Sequence, residues 1–253
     1  MIVIWYSLVI GSVMGSFTNV VGLRLPKKES LLYPASHCPS CRRSIAKKDL
    51  VPVLSYLLLK GKCRYCREGI SFLYPFMELA AGILFAAAFI RFGWEWELAL
   101  ILIVVLVLCA AVVSDLVYMI IPDRLLLAGT GAAAAVKLAS GTFSELASSA
   151  GNGLLVFLLL YIFAVLTKGG LGGGDIKLFA FIAFAVGLPA AVLTVFLAAI
   201  TGTAWGLFRL CTKKMNRRQL FPFAPFIASA CLTAVYAGTP FYTWYSHWIG
   251  LSP

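Results

Sequence analysis

The chain has 253 residues, 61% of them hydrophobic and only 12% charged, with a mean hydropathy of +0.94. A soluble domain is about half apolar and a quarter charged, so the composition excludes an ordinary soluble enzyme and predicts an all-α polytopic membrane protein. A formal charge of +11 does not imply nucleic acid, because no aromatic-interleaved basic surface or nucleic-acid motif accompanies it.

In chain order, the first 23 residues are apolar and lack the basic leading segment of a cleavable signal peptide. Arg24, Lys27 and Lys28 follow instead. This predicts an uncleaved first helix whose amino terminus lies outside and whose carboxyl end is cytoplasmic. Runs long enough to cross a bilayer, roughly 17–25 residues each, are marked near 2–23, 71–91, 98–120, 125–139, 149–167, 176–189, 190–211 and 223–246. About eight transmembrane helices are therefore expected, with the boundary at Gly187-Leu188-Pro189 the hardest to place. The organisation expected is a first helix (1–23), a cytoplasmic tetracysteine loop (24–70) and a membrane core (71–253).

Charge tests that topology independently. The segments predicted to be cytoplasmic, 24–70, 121–124, 168–177 and 209–218, carry eleven, one, two and five Lys/Arg, or 19 of the chain's 21. Only Arg91 and Lys137 fall outside. This is the asymmetry of the positive-inside rule, so the basic charge reports topology and contact with anionic lipid head groups.

Within the 24–70 loop stand Cys38-Pro39-Ser40-Cys41 and Cys63-Arg64-Tyr65-Cys66, with 21 residues between the pairs. Two C-x-x-C knuckles at such a separation suit tetrahedral thiolate coordination of structural zinc by Cys38, Cys41, Cys63 and Cys66. Disulfides are disfavoured in a reducing cytoplasm, and a segment this short gains folding energy from a metal. Redox-active or free thiols are the alternative. His37 is read as a neighbour, and Cys109, Cys211 and Cys231 as small buried hydrophobes.

Three acidic residues fall inside or at the edges of predicted spans: Glu78, Asp115 and Asp175. Ionisable groups there are costly and are functional suspects. The topology puts Asp115 near the cytoplasmic end of the third span. Asp175 follows a run in which five of six residues are glycine, Gly169 to Gly174. Two carboxylates at one depth can share a proton, one acting as base on water while the other protonates the carbonyl or leaving nitrogen. A helix start favours the ionised form of Asp175 and burial the neutral form, so split titrations are expected. The side-chain-free loop of Gly172, Gly173 and Gly174 could hold an extended peptide by backbone pairing. Close helix packing by the glycines, with the aspartates paired to polar neighbours, is the alternative.

Gly172-Gly173-Gly174-Asp175 is similar to the G-x-G-D motif of intramembrane aspartyl proteases. With Gly15-Ser16-Phe17-Thr18-Asn19-Val20, Arg24-Leu25-Pro26, the two cysteine knuckles, Leu50-Val51-Pro52-Val53-Leu54-Ser55-Tyr56, Tyr74-Pro75-Phe76-Met77-Glu78-Leu79, Pro122-Asp123 and Pro222-Phe223-Ala224-Pro225-Phe226, the ordered set resembles the bacterial type IV prepilin peptidase family over most of the chain. Ala224 replaces the family's usual glycine, Thr18 stands where leucine is common, and Gly22 where a larger apolar residue is usual.

The resemblance implies an aspartic endopeptidase of the bacterial cytoplasmic membrane that removes a short basic leader from prepilin or pseudopilin precursors. It makes Asp115 and Asp175 the catalytic pair. N-methylation of the new amino terminus from S-adenosylmethionine is implied by resemblance alone, in the region of the first-helix end and the cysteine loop. Asp123, Glu78 and Lys177 are accessory candidates. Asp123 is read as the cap of a following helix, Glu78 as an orienting or structural hydrogen-bond acceptor, and Lys177 as tuning the pair or meeting lipid phosphate. An ion- or proton-coupled transporter using the buried carboxylates and a non-catalytic scaffold are the competing readings.

Overall fold

A computed structural model of the chain describes residues 1–141, 143–212 and 221–248, the stretch 239–248 by its backbone alone. Nine α-helices are found among the described residues. They are α1 (Ile2–Arg24), α2 (Leu54–Leu58), α3 (Leu73–Phe92), α4 (Trp96–Tyr118), α5 (Asp123–Ser140), α6 (Phe143–Leu166), α7 (Gly173–Val186), α8 (Leu188–Cys211) and α9 (Ala224–Trp248). Extended pairing among them is limited to two isolated bridges in the cysteine loop. The basic residues Lys213, Lys214, Arg217 and Arg218, which helped to set the expected topology, lie outside the described residues.

Eight long helices stand where the eight apolar runs were marked. Five of them, α1, α3, α4, α6 and α8, are long and apolar enough to cross a membrane. Two others, α5 and α7, fall outside that group, and the part of α9 described with side chains, Ala224–Gly238, is a shorter apolar helix. With 14 residues, α7 rises only about 21 Å, short of a hydrocarbon core of about 30 Å. Eight spans thus remain an expectation, whereas a multi-pass helical protein is established.

The helix ends follow from local chemistry. Gly187, at φ 89 and ψ 166, separates α7 from α8, and proline opens α8. At three other ends, lysine occupies the left-handed position where glycine is usual: Lys28 (φ 60) after α1, Lys60 (φ 51) after α2 and Lys168 (φ 54) after α6. Each is followed by the paired return bonds of a Schellman turn, for example Lys168 N–H to Val165 O (3.1 Å) and Gly169 N–H to Ala164 O (2.8 Å). The ammonium group at the negative end of the helix dipole offsets part of the backbone cost.

The chain forms two compact units, Met1–Val117 and Tyr118–Pro253. In the first, α1 packs along α3 through small residues. A Cβ added at Gly15 would lie 2.8 Å from Ala81 Cβ and 2.9 Å from Glu78 Cα. Gly22, a departure from the family pattern, has a local reason. Its added Cβ would come within 2.7 Å of Ala110 O and 2.8 Å of Val113 Cβ on α4. Thr18 is buried and its hydroxyl is satisfied by Gly15 O at 2.8 Å. In the second unit α7 is the central element, with Leu178, Phe179 and Ile182 fully buried. It meets α5, α6 and α8, while α8 packs along α9. Ala224 opens α9 with no exposed surface.

Because α1 and α3 approach through Gly15, Gly15→Leu should destabilise the first unit by about 1–3 kcal/mol, read as a lower melting temperature in detergent. Gly131→Ala, where an added Cβ meets nothing within 4 Å, should leave it unchanged or slightly raised.

Candidate active site and metal centre

Asp115 sits near the carboxyl end of α4, one turn before Tyr118. It is buried, with 6% of its surface exposed, and adjoins Ser114, which has none. Among the described residues α4 is the most apolar of the helices able to cross a membrane, so a carboxylate there is a costly choice.

Asp175 is the third residue of α7, and Gly172 is that helix's N-cap. The expected glycine loop is therefore shorter than the sequence implies, because Gly173 and Gly174 already belong to the helix. Glycine is poor inside a helix, but at its first two positions there is little intrahelical bonding to lose. The three glycines differ in what they do. A Cβ on Gly172 would fall 2.8 Å from Asp175 Oδ2, so glycine there makes room for the carboxylate. A Cβ on Gly174 would lie 3.1 Å from Ile121 Cβ, so glycine there admits the turn before α5. Gly173 faces open space.

The accessory candidates have partners. Lys177 Nζ donates to Asp123 Oδ1 at 2.7 Å, both side chains being substantially exposed. This ties the start of α7 to that of α5, although an exposed pair contributes at most about 1 kcal/mol. Asp123 is the first residue of α5 rather than its cap; Pro122 holds the cap position. An acidic first turn still suits the helix dipole. Glu78 Oε2 accepts the N–H of Val53 at 2.7 Å. Val53 is β-branched yet has φ 61 and ψ −52, a conformation that costs about 1–3 kcal/mol. Glu78 on α3 thus holds a strained turn at the start of α2.

The structure brings the four cysteines together. The sulfurs of Cys38, Cys41, Cys63 and Cys66 all lie within 4.8 Å of one another, and this cluster could hold a metal ion. Its two halves repeat 25 residues apart, bond for bond. Cys38 N–H donates to Arg43 O (3.0 Å) as Cys63 N–H does to Glu68 O (2.8 Å). Likewise, Ile45 N–H donates to Ser36 O (2.9 Å) as Ile70 N–H does to Gly61 O (2.8 Å). Arg42 and Arg67 both take positive φ, at 57 and 61. His37 pairs with Ser44 in one bridge, and Lys62 with Gly69 in the other. His37 is a neighbour of the cluster, not part of it.

Each knuckle directs backbone N–H groups at its first sulfur. The N–H of Cys41, then that of Ser40, draws the Cys38 thiol down to about 6. The N–H groups of Cys66 and Tyr65 lower Cys63. Although the N–H of Glu68 pulls Cys66 down, burial and the neighbouring sulfurs push it up to about 12. Thiols this close resist full ionisation, and a divalent cation removes that resistance.

Asn19 was quoted only as part of a motif, yet its position is unusual. Its Nδ2 donates to Tyr74 O at 3.2 Å, while Oδ1 is buried with no hydrogen-bond partner among the described residues. An amide within an apolar helix was the available signal.

Residues 9–92 match the family model for the bacterial peptidase A24 N-terminal domain, and residues 100–207 match that of the type IV leader peptidase family. The chain is 39% identical over 237 residues to a prepilin leader peptidase/N-methyltransferase of Bacillus subtilis (strain 168), covering 94% of this chain and 95% of that one. The chain belongs to the type IV leader peptidase family. A like-named protein of Burkholderia pseudomallei (strain K96243) is 33% identical over 267 residues, 94% of this chain and 86% of its own. One from Aeromonas salmonicida (strain A449) is 30% identical over 263 residues, 92% and 90% respectively. No solved structure matches the chain. Family membership gives the transporter reading no support.

Asp49 is tied to the second knuckle by two bonds from Arg64, at 2.7 and 2.6 Å. The Arg64 guanidinium holds the Asp49 carboxyl below its ordinary value of 3.8. The pairing therefore stabilises the loop above that value and is lost as pH falls through the lowered one. Asp49→Asn should speed hydrogen exchange of the Ile70 amide severalfold at neutral pH, leaving the Ile45 amide unchanged.

Proposed function

We propose that this protein is a bifunctional prepilin leader peptidase and N-methyltransferase with Asp115 and Asp175 as its catalytic pair. The observation that carries the reading is the match, over nearly the whole chain, to relatives bearing that name. Both aspartates are supported by their positions within the family's ordered motifs. Asp115 is also supported by its burial at the end of α4, and Asp175 by the glycine that clears its carboxylate.

In this reading, one carboxylate takes a proton from water as the water oxygen adds to the scissile carbonyl, and the other protonates the carbonyl oxygen. Collapse of the tetrahedral species breaks the C–N bond. The departing nitrogen takes a proton, leaving a leader with a new carboxylate and a mature subunit with a free amine. A peptide bond within a helix is shielded by its own hydrogen bonds, so the substrate must be extended first. The short loop before α7 offers backbone groups with little side-chain obstruction. The precursors are prepilins or pseudopilins whose hydrophobic helix rests in the bilayer while the basic leader remains cytoplasmic.

S-adenosylmethionine, as methyl donor, would supply the methyl group for the new amine. The described residues contain no Rossmann-type unit, and none is assigned to that donor. Zinc is the ion proposed for the cysteine cluster. Tetrahedral zinc–thiolate bonds of about 2.3 Å place the sulfurs about 3.8 Å apart, and Cys38 Sγ and Cys66 Sγ lie 3.7 Å apart. The amino terminus is placed outside and the cysteine loop in the cytoplasm of the bacterial inner membrane, on the distribution of Lys and Arg.

The test is incubation of purified protein with a precursor carrying a basic leader and a hydrophobic helix, with and without the methyl donor, followed by mass measurement. Loss of the leader, with one added methyl only when donor is present, is expected. Loss of the leader without that methyl would refute bifunctionality, and an intact precursor would refute the peptidase. Asp115→Asn and Asp175→Asn should each lower cleavage by about 10²–10⁴-fold or more while still accumulating in membranes. Prolonged chelation should release zinc and abolish protection of both the Ile45 and Ile70 amides; a loop protected equally without metal would contradict the zinc assignment.

A further inference from the structure

The segment 50–67 has a surface unlike the rest of the cysteine loop. Leu54, Leu57 and Leu58 of the short helix α2 are 58%, 64% and 82% exposed, and Leu50 and Val51 just before it are also exposed. Beside them lies a cavity of about 360 Å³ lined by Leu58, Leu59, Lys60, Lys62, Arg64 and Arg67. Of these four cations, Arg64 has an acidic partner, Asp49, and no carboxylate lines the cavity. An apolar ridge and a cationic hollow therefore share one stretch of chain.

The position of α2 gives that combination a meaning. Val53 N–H is held by Glu78, less than two turns into α3. The Tyr56 ring meets Phe72 at 6.4 Å, and Phe72 meets Phe76 at 6.2 Å. Phe72 and Phe76 are exposed at the start of a helix long and apolar enough to span a membrane. The apolar surface of α2 thus runs on into the surface that α3 presents at its entry to the bilayer. Gly61, at φ 69, returns the chain over Tyr56, whose hydroxyl would lie 2.9 Å from any added Cβ. That turn sets Lys60 and Lys62 on either side of Gly61.

We propose that segment 50–67 is a membrane-surface element, with the leucines of α2 seated in the bilayer interface and the Lys60–Lys62–Arg67 cavity holding the phosphate of an anionic lipid. Apolar residues beside clustered cations are the composition of interfacial binding, and aromatic residues favour the head-group level. Charge selects the occupant. A prepilin leader is basic and would be repelled by this hollow, whereas anionic lipid is attracted, roughly fivefold in affinity per cation engaged. Lipid binding would hold the cysteine loop against the membrane surface at the mouth of α3.

Hydrogen exchange of the full chain tests this. The arms are nanodiscs of phosphatidylcholine alone, nanodiscs containing phosphatidylglycerol, and detergent micelles with inorganic phosphate. Amides of 54–67 should exchange roughly fivefold or more slowly in phosphatidylglycerol discs than in phosphatidylcholine discs. Phosphate in micelles should not reproduce the effect. Lys60→Gln with Lys62→Gln should remove the dependence on phosphatidylglycerol, and Leu57→Ser with Leu58→Ser should remove protection in both discs. Unchanged Ile45 and Ile70 amides in detergent confirm that both knuckles remain folded in the variants. Equal exchange in both wild-type discs, protection by phosphate alone, or protection appearing only with added precursor would overturn the proposal.

Discussion

The constraint from which the rest follows is the cost of a carboxylate in a helix that the bilayer would otherwise accept without penalty. Among the described residues α4 is the most apolar of the five helices long and apolar enough to cross a membrane, and it carries Asp115 in a buried position near its end. The expense is limited by depth. Asp115 lies one turn from the helix terminus, and Asp175 lies in the first turn of α7. Each therefore stands near a helix end, where backbone polar groups are not all paired within the helix. The hydrolysis proposed for them needs carboxylates shielded enough to share a proton and near enough to water to use it.

The loop between α1 and α3 solves a different problem. It is too short to build a core, and its exposed surface includes several large apolar side chains. Two backbone-defined knuckles, repeated 25 residues apart, gather four sulfurs into one cluster. Glu78 then ties the loop to α3 through Val53. Order reaches the loop from two directions, a four-sulfur cluster within it that could hold a metal ion and the Glu78 carboxyl of α3. A strained β-branched residue persists where its N–H is held by Glu78 Oε2.

Hydrophobic run length was enough to locate the eight long helices, since bilayer and helix geometry both act on that signal. Span number is harder, because 14 residues in α7 read as apolar but fall short of the bilayer's thickness. The start of α7 was misplaced because glycine propensity argues for a loop, whereas the first helical positions tolerate it. Lysine in left-handed caps was invisible for the converse reason: the expected marker is glycine. The cysteines were readable because thiolate spacing is local. Their 25-residue repeat is also present in the sequence, as Cys38-x-x-Cys41-Arg42-x-x-Ile45 against Cys63-x-x-Cys66-Arg67-x-x-Ile70, but the shared main-chain bonds it stands for appear only in the fold. Glu78 was visible as a charge within an apolar run and Lys177 as a cation beside Asp175, but Val53 and Asp123 are partners at separations of 25 and 54 residues, beyond any local pattern.

The central claim is that Asp115 and Asp175 act as one unit, and proximity measured in the working protein tests it directly. Cysteines placed at both positions, with the knuckles protected by zinc, should be joined by a short thiol-specific cross-linker in membranes. Peptide mass analysis should then recover the linked 115–175 pair, and bound precursor should suppress its formation. Failure to recover that pair, under conditions that link cysteines introduced at the exposed, paired positions Asp123 and Lys177, would contradict the dyad.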